Sequence, residues 1–226
     1  MTGTVLGKRK DNESYRTVTV DDSPIDAWKG KFGDEYMTRN LVTEATVVTA
    51  TNGFTEILGH MKDFPPASIL EVGANIGNNL QALSRLTDAE LYAVEPNASA
   101  REQLMADKVV PQDHLFDALA IKLPLDDGAV DLVFTSGVLI HVPPEDLETA
   151  YGEIHRVTAR YVLSIEYYSP TPVSLSYRGH DGLLFKRDFG GLWLDLFPNL
   201  DLVADGFFGK RTTGFDDVNW WLFRKP

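Results

Sequence analysis

The chain predicts an open α/β domain built on a mostly parallel sheet with helices on both faces. Three observations carry this. The apolar run Ile69-Leu70-Glu71-Val72 breaks at Gly73 and passes through Ile76-Gly77 into a segment with Leu80, Leu83 and Leu86 on one helical face. A second run, Leu91 to Val94, follows and ends in a carboxylate, Glu95. Short apolar runs then recur, bounded by turn residues and alternating with helical stripes, which is the pattern of stacked strand–helix–strand units.

Taken in order, residues 1–24 are polar without a sustained period and read as a mobile arm. Residues 25–66 read as a helical lid. A helix from Asp26 to Asn40 is interrupted near Gly30 to Gly33, and a longer one shows Phe54, Ile57, Leu58 and Met61 at core-facing spacing until Phe64-Pro65-Pro66 ends it. Strands are expected near 68–73, 90–95, 113–117, 129–135 and 160–167. Pro143-Pro144 opens a helix striped by Leu147, Ala150, Tyr151 and Ile154. Residues 168–187 form a long connection rich in Pro, Tyr and Gly, and loops of that length are commonly functional. A helix through Phe189, Leu192, Trp193 and Leu196 stops at Pro198, and strands near 200–208 and 217–224 close the chain. With no internal repeat, residues 25–226 read as a single domain.

The first unit carries the chemistry. Gly73 and Gly77 permit torsions and close approaches that a Cβ would obstruct, so a ligand can lie against the main chain at the strands' carboxyl ends. Glu95 can accept a hydrogen bond from each hydroxyl of a ribose. A dinucleotide site would place glycines as G-x-G-x-x-G, whereas Asn75 and Asn78 stand at its second and third glycine positions. Glu71 at the loop's mouth would repel a phosphate and favour a ligand bearing an ammonium and a sulfonium, which points to S-adenosylmethionine. Asp117, at the end of the third strand, can accept from an adenine amino group.

The order E-V-G-A-N-I-G, A-V-E-P-N, D-A and D-L-V-F-T-S-G-V-L-I-H resembles the class I S-adenosylmethionine-dependent methyltransferases. Trp28-Lys-Gly-Lys-Phe-Gly-Asp-Glu-Tyr36-Met-Thr-Arg39-Asn40, Glu166-Tyr-Tyr-Ser-Pro-Thr-Pro, Tyr177-Arg178-Gly-His180 and Leu184-Phe-Lys186-Arg187-Asp-Phe resemble the pseudaminic acid biosynthesis-associated methylase family. The resemblance covers about residues 25 to 226. It implies a Rossmann-like fold of seven strands with the last antiparallel. It also implies that Glu71, Gly73, Asn75 and Gly77 line the methionine and ribose portion of the cofactor. Glu95 would hold the ribose hydroxyls, Asp117 and Ala118 would contact the adenine, and Ser136 and Val138 would sit beside the sulfonium. Asn75 replaces the glycine of the familiar loop, and Asn tolerates unusual backbone torsions.

Composition narrows the classes. A net charge of −12 argues against a broad nucleic-acid surface, which depends on neutralising phosphates. No apolar run approaches the roughly 20 residues of a membrane-spanning helix, and no basic start leads into an apolar stretch. With no cysteine, disulfides and thiolate metal sites are excluded, and His60, His114, His155 and His180 show no ligand spacing, so no metal is expected. A cytoplasmic protein, monomer or homodimer, fits these features.

The acceptor site is sought around three segments. His141, after the fourth strand, is the candidate base, because its ordinary pKa suits proton transfer near neutrality. Tyr36 and Arg39, three apart on one helical face, could close over the cofactor and grip its carboxylate. Trp28 and Tyr168 are expected near the acceptor. Arg178, His180 and Lys186 concentrate donors in an acidic chain, which suggests capture of an anion. The sequence therefore leads to a methyltransferase acting on a small, anionic metabolite, with O-methylation preferred and an amino-sugar or nonulosonic-acid setting suggested by the resemblance. Alternatives are a phosphonate or phosphate O-methyltransferase, a small-molecule N-methyltransferase and, from another class, a non-catalytic cofactor-binding regulatory subunit.

Overall fold

A computed structural model describes residues 24–226, and all but the last residue of the expected arm lie outside that range. Helices α1 (Pro24–Lys29), α2 (Lys31–Arg39) and α3 (Glu44–Gly59) lead into β1 (Ser68–Val72), α4 (Asn78–Leu83), β2 (Glu90–Val94), α5 (Ala98–Ala106) and β3 (Leu115–Phe116). β4 (Val130–Ser136), a 3-10 turn Leu139–His141, α6 (Pro144–Val157) and β5 (Thr158–Glu166) follow. β6 (Val173–Tyr177), β7 (His180–Lys186), α7 (Phe189–Leu196), β8 (Asp201–Phe208), α8 (Lys210–Thr213) and β9 (Val218–Arg224) complete the chain.

Seven strands form one sheet in the order β3-β2-β1-β4-β5-β9-β8. β1 pairs in parallel with β2 and β4, β2 with β3, and β4 with β5, while β9 runs antiparallel between β5 and β8. The order reverses between β1 and β4, opening a crevice at the carboxyl ends of the strands. The central strands are buried on both faces, so they read as continuous apolar runs. One face packs Ile69, Leu91, Leu132, Phe134 and Leu163 against Phe54, Ile57 and Leu80. The other packs Leu70, Val72, Val133 and Val162 against Leu147, Tyr151 and Ile154 of α6 and Trp193 of α7.

Several elements differ from the sequence reading. α5 has no clean apolar stripe, burying just Ala100 and Leu104, and it forms where Asn97 caps its first turn by accepting from Ala100 N at 2.8 Å. Residues 168–187 are not an open connection: most of them form the β6–β7 hairpin, a second sheet. Its turn is Arg178-Gly179, with φ of 53° and 83°, the two left-handed residues of a two-residue hairpin loop. The alternation Val173-Ser174-Leu175-Ser176-Tyr177 before that turn carries the strand signal, which the Pro-rich lead-in obscures.

Trp193 anchors the α7 side of the sheet. It is wholly buried, its indole N–H donates to Ser164 Oγ at 2.8 Å, and its ring lies 4.2 Å from that of Tyr151. Trp193→Ala is expected to cost about 3–5 kcal/mol through the cavity left behind. Urea denaturation checks this; an unchanged midpoint would remove Trp193 from the core.

Candidate functional site

A cavity of about 550 Å³ lies over the crevice. Its floor is the loop after β1, where Gly73, Asn75 and Gly77 all have positive φ, of 78°, 47° and 80°. Gly73 admits no side chain, because a Cβ would stand 2.5 Å from Val138 Cγ2. Asn75 is a non-glycine residue in the left-handed region, and its amide N–H points at the tip of β2.

Three buried carboxylates organise the loops around the cavity. Glu95, just past β2, accepts from Asn75 N at 2.7 Å on Oε2 and from Asn97 N at 2.8 Å on Oε1. Each carboxylate oxygen carries two acceptor sites, so each keeps one for a ligand hydroxyl. Burial raises its pKa, and the two backbone N–H groups oppose that rise. Glu71 on β1 is 2% exposed; Oε1 accepts from Asn79 Nδ2 at 2.7 Å, and Oε2 has no partner among the described residues. Burial pushes its pKa up to about 8. Glu166 ends β5 and is wholly buried, accepting from the backbone N–H groups of Val138 and Leu139 on Oε1 and of Ile140 on Oε2, at 3.1–3.4 Å. Its pKa is pushed up to about 7 by burial. This carboxylate fixes the loop after β4 that carries Ser136, Val138 and His141.

His141 is held between Trp28, 4.4 Å away ring to ring, and Tyr177 at 5.5 Å. Its Nδ1 lies 2.5 Å from Leu183 O on β7. Because a carbonyl only accepts, Nδ1 carries the proton and Nε2 is left as a free acceptor. Burial lowers its pKa to about 4, so the ring is neutral at pH 7. Helices α1 and α2 cover the cavity beside it. Asn97 Nδ2 donates to Asp34 Oδ1 at 3.0 Å and Trp28 O at 3.4 Å, tying that cover to the loop beyond Glu95. Tyr36 lines the cavity, and burial, reinforced by Tyr177 and Asp216, pushes its phenol up to about 12, so it remains a neutral donor.

Of the residues singled out from sequence, Trp28, Tyr36, Glu71, Gly73, Asn75, Glu95, Ala118, Ser136, Val138 and His141 line this cavity together. Gly77 does not; it caps α4 from below, and a Cβ there would stand 2.5 Å from Leu104. Arg39 turns to Glu35 at 3.6 Å, and Asp117 faces outward to Arg101 at 2.8 Å. Arg178 is exposed at the hairpin tip over Tyr177, His180 packs edge-on against Phe32, and Lys186 lies over the Tyr167 ring at 4.7 Å. Tyr168 is exposed beside Trp221. Sequence reading gave no role to Asn97, to Glu166 or to the Tyr167–Asp216 pair, whose hydroxyl–carboxylate bond is 2.8 Å. Glu166 carried the same signal as Glu95, a carboxylate ending an apolar strand. Among the described residues no cluster of metal-ligating side chains occurs, and no helix is long and apolar enough to cross a membrane.

Residues 70–161 match the family model described as "Methyltransferase domain". No curated protein matches the chain by sequence. Solved structures do match it by fold. A SAM-dependent methyltransferase from Leishmania major superposes with a TM-score of 0.69 at 15% identity, over 89% of this chain and 86% of that one. Magnesium protoporphyrin IX methyltransferase from Synechocystis PCC 6803, with bound SAM, gives 0.65 at 10% identity, over 92% and 99%. The 1,6-didemethyltoxoflavin-N1-methyltransferase of Burkholderia thailandensis, with bound substrate and S-adenosylhomocysteine, gives 0.62 at 16% identity, over 89% and 84%. Residues 70–161 thus carry a methyltransferase domain, and the seven-stranded sheet with β9 reversed is the fold shared with these S-adenosylmethionine-dependent enzymes.

Proposed function

We propose that the cavity binds S-adenosylmethionine along the tips of β1, β2 and β4 and transfers its methyl group to a small molecule entering beside His141. One observation carries the reading: Glu95 is held by two backbone N–H groups and still has an open acceptor site on each oxygen, which suits the two hydroxyls of a ribose. The unpartnered Oε2 of Glu71 suits the ammonium of the methionine portion, and the Gly73–Gly77 loop leaves the main chain bare along it. Ala118 and Pro96 would flank the adenine, with Asp117 contributing through the backbone beside it rather than through its outward carboxylate. Ser136 and Val138 would lie beside the sulfonium, and Tyr36 could donate to the cofactor carboxylate, a task Arg39 would share after leaving Glu35.

The bound cofactor supplies an electrophilic methyl group. The protein's part is to hold the acceptor in line with it and keep water away, which is where most of the rate advantage of such a transfer lies. Trp28 and helices α1 and α2 act as the cover. His141 orients the acceptor through Nε2 and is too weak a base, at a pKa of about 4, to remove a proton from an alcohol outright.

The anionic acceptor inferred from the sequence would require Arg178, His180 and Lys186 in the wall, and none of them lines the cavity. An amino-sugar acceptor, suggested by the family resemblance, remains compatible with the cavity's size and polar wall. A His141 this weak as a base suits an acceptor that needs no base, an amine nitrogen or an oxygen already ionised.

Glu95→Ala should weaken S-adenosylhomocysteine binding by about 1–3 kcal/mol through loss of charge-assisted hydrogen bonds. Titration calorimetry decides it, and an unchanged affinity takes Glu95 out of the site. Glu71 generates a pH prediction. In the free protein its pKa of about 8 keeps it mostly protonated at pH 7. An ammonium beside it favours the ionised form, so cofactor binding at pH 7 should release up to one proton. Calorimetry in buffers of different ionisation enthalpy measures that release. It should vanish in Glu71→Gln; a release that survives the substitution assigns it elsewhere.

A further inference from the structure

The acceptor half of the cavity has an electrostatic character of its own. Strand order places Glu95 and Ala118 at the β2–β3 end, and Asp216, Phe215 and Gly214 at the β5–β9 end, since β9 begins beside the tip of β5. The carboxyl side chains that line the cavity are Glu71 and Glu95, given above to the cofactor, and Asp146 and Asp216, which have no part in holding it; among the described residues no Lys or Arg lines the cavity. The cations around it are turned to other partners: Arg39 to Glu35, Arg101 to Glu95 O and Asp117, and Lys186 to the Tyr167 ring. Lys210 reaches Asp216 Oδ1 at 2.8 Å from the solvent side, where its side chain is 69% exposed. Trp28, Tyr36 and Phe215 add aromatic rings to the same wall, and the buried indole Nε1 of Trp28 has no partner among the described residues.

We propose that the acceptor is an amine, which enters this acidic, aromatic-walled end as its ammonium and is methylated at nitrogen. The inference rests on the cofactor placement above. Carboxylates and ring faces both attract an ammonium, while an anionic acceptor would meet carboxylates with no wall cation to offset them. The chemistry balances without a wall base. The ammonium gives its proton to bulk water, and the freed nitrogen lone pair forms the new N–CH₃ bond. The S–CH₃ bond breaks as it forms, its electron pair staying on sulfur as a thioether. The positive charge passes from sulfur to nitrogen and remains inside the cavity, where Asp216 faces it as it arrives. No side chain has to accept a proton, which accords with a His141 kept neutral by burial.

The test uses the full chain saturated with S-adenosylhomocysteine and three probes that share one ring: benzylamine, benzoate and phenylphosphonate. Calorimetry should show benzylamine binding at least about tenfold tighter than either anion. Asp216→Asn should weaken benzylamine about threefold or more while leaving S-adenosylhomocysteine affinity in place. Either anion binding as tightly as benzylamine, or benzylamine failing to bind at about 10 mM, overturns the proposal. If S-adenosylhomocysteine itself does not bind, the cofactor placement fails first and the acceptor assignment falls with it.

Discussion

The site depends on carboxylates buried at the ends of strands. An unpaired buried carboxylate is costly, so each of these must collect donors, and at a strand's carboxyl end the nearest donors are backbone N–H groups of the loops beyond. Glu95 gathers Asn75 and Asn97, and Glu166 gathers Val138, Leu139 and Ile140. The loops therefore take their shapes from the acids they satisfy. Glu71 departs from this scheme with one oxygen unmet, and that oxygen belongs to a residue of the cavity wall. Trp28 Nε1 and Asn78 Oδ1 are likewise unpartnered among the described residues and belong to the same wall, where a ligand can complete the count.

The α/β architecture was legible because buried parallel strands leave a strong mark: continuous apolar runs closed by glycine or an acid. Ile69–Val72 and Leu132–Phe134 carry that mark, and both lie in the middle of the sheet. β6 and β7 carry a weaker one, since their sheet has two strands and β6 is mostly exposed, which leaves little apolar period to read. α5 escaped notice for a similar reason, with two buried residues in nine. In the cavity, the floor from Glu71 to Glu95 was legible, because glycine spacing and strand-tip acids are local signals. The opposite wall was not. Arg178 and Lys186 look free in sequence, yet the hairpin turns one into solvent and the other onto Tyr167. Asp216 meets Tyr167 across 49 residues, a distance that no local pattern spans.

The hairpin's contribution is made by its backbone. Through Leu183 O, β7 fixes the tautomer of His141, while Glu166 holds the same short segment from the opposite side. A ring gripped at one nitrogen and wedged at a tilt between Trp28 and Tyr177 has little freedom to reorient. Its position is set by three segments far apart in sequence: the first helix, the end of β5 and the hairpin.

Asn97 has each of its polar groups in use. Its backbone N–H serves Glu95, its carbonyl oxygen caps α5, and its amide N–H groups reach Asp34 and Trp28. Gly33 lies so close to Trp28 O that a Cβ would stand 2.0 Å from it, so the two covering helices are seated against each other before they meet the loop. Their side-chain hydrogen bonds to that loop run through one amide group, at 3.0 and 3.4 Å. Ring packing adds to that tie, Trp28 against His141 and Phe32 against Tyr177 and His180, so the cover is seated on the loop beyond Glu95, on the 3-10 turn and on the hairpin together. A change in either the loop or the hairpin is therefore felt at the ring of His141, far from both in sequence.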